Sequence, residues 1–216
     1  METTLRRTNQ SEIMRMWRYL QKEPWGGILR VWEEERMETV YAPHGFTLLS
    51  RGRGEKKRVF SYLDRVPDQW LERDHVEVYR VQRGVSEYTP EGQEEGAWQQ
   101  RWEERVFHLR FALALMVLEQ CKQHLEKRRA QGIPTLQHQM VKSLISDFLI
   151  LLECVYSRDS TSSDLEQRRL RHFDHTRLDQ QVCSLLKLMG GHGYISSGCS
   201  RWGHALSVIH NVWVVR

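Results

Sequence analysis

Ile13, Met16, Trp17 and Leu20 recur at i, i+3, i+4 and i+7, which is one face of a helix. Asn9 and Glu12 have the spacing of a capping box at its start, and Pro24 with Gly26-Gly27 ends it. From Gly27 to Gly84 the pattern shortens. Ile28 to Trp32, Glu38 to Tyr41, Gly45 to Ser50, Arg58 to Leu63 and His75 to Val81 alternate like strands. Pro43-His44-Gly45, Gly52-Arg53-Gly54 and Val66-Pro67-Asp68 mark turns between them. Ser86 to Gly96 is polar and reads as a linker. From Trp98 the period becomes 3.6 residues and stays there. It predicts a helix over 98–129, a break at Gly132-Ile133-Pro134, and a second helix over 135–157 with Met140, Val141, Leu144, Ile145, Phe148, Leu151, Leu152 and Val155 facing inward. A loop over 157–164 precedes a third helix ending at Met189. Gly190-Gly191-His192-Gly193 stops it, and a short segment with Trp202, Leu206, Ile209 and Trp213 closes the chain.

This order predicts a mainly α fold of α+β character. Residues 1–26 form an N-terminal helix, 27–85 a small antiparallel β region, and 97–216 an antiparallel helical bundle. Helices with one apolar stripe each, joined by short loops, pack that way.

With 40% hydrophobic and 28% charged residues over 216 positions, the chain can bury a core and is not disordered. A net charge of +4 is too modest to point to nucleic acid; Arg51 to Arg58 is the one dense basic run. Arg outnumbers Lys 25 to 7, which suits phosphate-bearing ligands. Cys121, Cys154, Cys183 and Cys199 form no CxxC pair, so a cysteine zinc site is not expected and a reducing, intracellular compartment is. The first ten residues lack the apolar run of a signal peptide. No apolar stretch approaches the roughly 20 residues of a membrane span.

Three local features carry candidate chemistry. Gly190-Gly191-His192-Gly193-Tyr194 would let backbone approach a ligand closely, or is a plain interhelical turn. Arg128 and Arg129 end the first long helix, where cations also suit the helix dipole. Gln137-His138-Gln139 opens the next helix. Taken in order, an Arg four residues before Gly132, a His-Gln six residues after it, and a Gly-Gly-x-Gly-Tyr beginning 58 residues after it, followed by Ser-Gly, resemble the C-terminal helical domain of the acyl-CoA dehydrogenase and acyl-CoA oxidase family. Gly45 to Leu49 and His75 to Val81 resemble strands of that family's middle β-domain.

The resemblance implies an FAD-dependent oxidoreductase of fatty acid metabolism, acting on an acyl-CoA as a homo- or hetero-oligomer. FAD would lie at a subunit interface. Arg128 would contact its pyrophosphate, His138 and Gln139 would lie beside it, and Gly190, Gly191 and Gly193 would pass its nucleotide portion. The reaction would take an α-proton and a β-hydride from the thioester, which needs a carboxylate base. In the family the base follows the glycine motif or lies early in the first bundle helix. The first position is Ser197 here, and no carboxylate follows Asp179, so the candidate is Glu104 in Glu104-Arg105. Glu103-Glu104 also reads as an ordinary solvated helix face.

The family's aromatic residue before the glycine is Gln131 here, and the family's N-terminal helical domain has no room before Gly27. The readings are therefore a truncated or divergent FAD-dependent relative working with a partner chain, a non-catalytic helical interaction protein to which eight tryptophans would lend anchors, and a basic RNA-binding helical protein. Whether the chain is an enzyme stays open at this point.

Overall fold

The computed structural model describes residues 2–34, 40–53, 62–82, 93–157, 164–193 and 199–214. They form a mainly α structure with a small antiparallel sheet. The helices are α1 (Glu2–Leu20), α2 (Gly26–Glu34), α3 (Gln69–Glu72), α4 (Gln93–Lys127), α5 (Gln139–Tyr156), α6 (Asp164–Leu188) and α7 (Cys199–Ile209). The strands are β1 (Phe46–Ser50), β2 (Leu63–Val66) and β3 (Val76–Val81), with a two-strand turn of β4 (Arg129–Ala130) and β5 (Ile133–Pro134). The chain divides into two compact units. One holds residues 1–18 and 107–207, the other residues 19–106 and 208–216.

The first unit is built on α4, α5 and α6. Leu109, Leu113, Val117 and Leu125 of α4 are buried, as are Phe148 and Val155 of α5 and Leu178 and Leu185 of α6. These are the 3.6-residue stripes read from the sequence. Met140 is a correction. It is 79% exposed, because it lies in the first turn of α5 and turns away from the stripe that Val141 and Phe148 bury. Contacts between α4 and α6 advance together along both helices. Arg110 meets Asp179, the Cys121 thiol donates to the Leu185 carbonyl at 3.4 Å, and Arg128 comes beside Gly190. The two helices therefore run parallel, with α5 returning between them in sequence.

One polar cluster is buried among these stripes. Arg110 is 0% exposed. Its guanidinium donates to Asp179 and, at 2.8 Å, to His175 Nδ1. A guanidinium only donates, so His175 Nδ1 carries a lone pair and the ring is neutral. Burial pulls the Arg110 guanidinium down to about 10, against the opposing effect of Asp179.

Asn9 does not cap a helix, which corrects the capping-box reading. Helix α1 starts earlier, at Glu2, and the Asn9 Oδ1 meets His108 Nε2 at 3.0 Å. Burial, with Arg171 and Arg15 nearby, holds His108 down to about 4. The unfolded chain then binds the proton that the fold refuses, so stability is complete above about pH 6.5 and falls as pH drops toward 4. The loss amounts to at most about 3 kcal/mol. Urea midpoints from pH 7.5 to 4.5 should fall more in the native chain than in His108→Gln, and parallel curves would contradict this.

In the second unit β3 is central, in the order β1-β3-β2. Phe46 pairs with Arg80 and Ser50 with Val76, while Leu63 pairs with Val81 and Val66 with Val78, all antiparallel. The expected strand over 28–32 is instead part of helix α2. Trp25, Ile28, Leu29 and Trp32 are buried and Val31 is 59% exposed, so the period there is helical; the five-residue alternation was too short to separate the two. Residues 38 and 39 and residues 58–61 lie outside the described residues. Tyr41 is not in a strand, and β2 begins at Leu63, where the reading ended. Asp68, read as a turn, caps α3 by accepting from the Trp70 and Leu71 amides at 3.0 and 3.1 Å.

Helix α2 enters tightly. The Gly26 amide donates to the Asp74 carbonyl at 2.9 Å, and a Cβ on Gly26 would lie 2.3 Å from the His75 carbonyl oxygen. Backbone cannot step aside as a side chain can. Gly26→Ala should therefore cost about 2–3 kcal/mol, read as a lower urea midpoint. An unchanged midpoint would contradict the contact.

Candidate functional site

The parallel course of α4 and α6 puts the turn after α4 and the turn after α6 at one end of the first unit. Between them, the chain leaving α4 folds on itself. The Arg128 carbonyl accepts from the Thr135 amide at 2.7 Å and from its hydroxyl at 3.0 Å. The Arg129 guanidinium donates to the Gly132 carbonyl at 3.0 Å, and His138 Nε2 meets the Ala130 carbonyl at 3.2 Å. Gln131 and Gly132 take φ of 55° and 84°, the left-handed conformation that reverses the chain.

These bonds commit Arg129 and His138 to the turn itself. They leave Arg128 different. Its side chain is exposed and forms no hydrogen bond or ion pair among the described residues. Its Nη1 lies 3.7 Å from where a Cβ on Gly190 would stand. Gly190 itself has φ of 60°, and nothing lies within 4 Å of a Cβ built on Gly191. Gly190–Gly193 form a 3₁₀ turn directly after α6. Side-chain surroundings of residues 192–198 lie outside the described residues.

Arg128, Gly190 and Gly191 thus come together in one unit, with His138 and Gln139 at the adjoining start of α5. Gln139 is exposed and is the first residue of that helix. Glu104 belongs to the other unit. It lies half-buried on α4 and accepts from Gln100 Nε2 at 3.4 Å, one turn back.

The second unit holds two features that the periodicity did not single out. Trp32, Tyr41, Trp98, Trp102 and Trp213 pack ring against ring, with centroids 5.4 to 5.8 Å apart along the cluster. Trp32, Tyr41, Trp98 and Trp102 line a small cleft, with Glu33 in its wall. Glu33 is buried, which raises its carboxyl above the usual range. Its oxygens accept from the Ser50 amide at 2.7 Å and the Ser50 hydroxyl at 2.5 Å, with Arg53 at 3.6 Å. Those partners make Glu33 a brace between α2 and β1 rather than a base. A carboxylate in a helix misread as a strand gave no signal for that role.

No helix among the described residues is long and apolar enough to cross a membrane, and no group of three or more metal-ligating side chains occurs among them. No family model matches the sequence, and no curated protein sequence matches it. Among solved structures the chain is similar to an acyl-CoA dehydrogenase from Geobacillus kaustophilus, with a TM-score of 0.48 and 14% identity. The similarity covers 77% of this chain and 45% of that one, so the chain spans less than half the length of that protein.

Proposed function

We propose that the chain is a divergent relative of the FAD-dependent acyl-CoA dehydrogenases and oxidases, and that the end of its bundle at Arg128 holds the diphosphate of FAD. The observation that carries this is the Arg128 guanidinium, without a protein partner among the described residues, beside the Cβ-free Gly190. The donor set suits the group. A guanidinium offers a fork of N–H donors matched to phosphate oxygens. A side chain on Gly190 would occupy the space next to Nη1, whereas glycine leaves it open to a ligand. His138, tied to Ala130, fixes the shape of the turn, and Gln139 is exposed at the start of α5.

When bound, FAD would supply the hydride acceptor for oxidation of an acyl thioester. Glu104 is the residue we assign to take the α-proton. The chain's share of this chemistry is to hold the diphosphate and to provide that carboxylate, with a partner chain completing the acyl pocket.

Protein reconstituted with FAD and washed free of excess should stay yellow; protein that emerges colourless contradicts the proposal. Arg128→Ala should weaken FAD binding by about 10- to 100-fold, the worth of a charge-assisted contact to phosphate. Flavin fluorescence titration reads this directly, and equal affinity would remove Arg128 from the site.

A further inference from the structure

We infer that the outward face of α6 is a docking surface for single-stranded nucleic acid. From Arg168 to Lys187, every exposed residue is cationic or neutral. Arg168, Arg169, Arg177 and Lys187 supply the positive charges, with His172 and Phe173 among them. The two carboxylates in this span are withdrawn from the surface charge: Asp174 is buried, and Asp179 accepts from the Arg110 guanidinium. The acids Asp164 and Glu166 stand before the span, in the first turn of the helix. The net charge of the whole chain is only +4, so this face concentrates a positive potential that composition averages away. Arg169, Arg177 and Lys187 form no ion pair among the described residues. At the helical repeat, the four cations and Phe173 fall within about half the circumference of α6, over about 28 Å of its length.

The ring chooses the occupant. Phe173 is 57% exposed, and the Arg177 guanidinium lies 5.8 Å from its ring centre. A single strand uses both parts: a base stacks on the ring, and guanidiniums take phosphate oxygens. The bases of a duplex are already stacked on one another and leave the ring idle. A membrane surface asks for a broad apolar face, and Phe173 is the one large apolar side chain that α6 exposes among the described residues. An acidic peptide would answer the cations but brings no flat face to the ring. The inference rests on this face alone and not on the flavin reading.

Fluorescence anisotropy of a labelled oligouridylate of about ten nucleotides, titrated with the full chain, tests it. The native protein should bind, with log affinity falling against log salt at a slope of about −2 to −3, as three or four phosphates are neutralised. Phe173→Ala and Phe173→Leu should each weaken binding by about 5- to 100-fold at an unchanged slope, and Phe173→Trp should keep it. Arg169→Gln should flatten the slope by about 0.7. Far-UV circular dichroism of each variant, all exposed-site changes, should match the native spectrum. Saturating FAD should not displace the strand. No binding, native affinity in Phe173→Leu, a slope unmoved by Arg169→Gln, or displacement by FAD would each overturn it. So would equal competition by polyglutamate of the same charge, or tighter binding to phosphatidylserine vesicles. The yellow colour of FAD-reconstituted protein is read separately, so either idea can fail alone.

Discussion

Asp179→Ala is expected to destabilise the bundle by about 3–5 kcal/mol. The cost does not come from Asp179 itself, whose side chain is 37% exposed and could be solvated without a partner. It comes from Arg110. That guanidinium is 0% exposed, and its remaining described acceptor is the neutral His175 ring. Removing the carboxylate strands a charge in the core, and the chain must deprotonate it, admit water or part α4 from α6. Arg110→Met is the instructive contrast, because it withdraws the buried charge and fills its volume. It should cost much less than Asp179→Ala, leaving only the His175 Nδ1 and Asp179 to find water. Urea unfolding with an unchanged slope reads both. Equal losses in the two variants would mean that the pair acts by packing and not by charge.

Glu104→Gln is expected to lower turnover of an acyl thioester, followed with a reducible dye, by about 10²- to 10⁴-fold, the usual share of a general base. The amide keeps the size of the side chain and the contact with Gln100. FAD affinity should not move, since Arg128, not Glu104, is assigned to the phosphates. Glu103→Gln is the control: it alters the neighbouring carboxylate, bonded to Gln99 at 3.1 Å, and should leave turnover intact. Native turnover in Glu104→Gln would withdraw the assignment.

The bundle was legible because its stripes are long. Leu109, Leu113, Val117, Cys121 and Leu125 keep a helical period over four turns, and no strand pattern imitates that. The failures fall where windows are short. Five residues from Ile28 alternate well enough for a strand, yet buried Trp25, three residues before Ile28, extends the pattern into a helix that packs on β1. Asn9 has the spacing of a cap, but a long-range partner, His108, took its side chain. Arg128 and Gly190 were readable as types suited to phosphate. Their adjacency was not, since it depends on α4 and α6 running parallel through contacts more than 60 residues apart in sequence. The commitments of Glu33 and Arg110 were equally hidden, because buried ion pairs leave no periodic trace.

The claim under all of this is that the end of the bundle grips phosphates. Titrating the native protein with FAD and with riboflavin, which shares the ring system but carries no phosphate, tests it most directly. FAD should bind at least about tenfold more tightly, since the diphosphate is the part that Arg128 holds. Equal affinity for the two flavins, or binding of neither, would contradict the account.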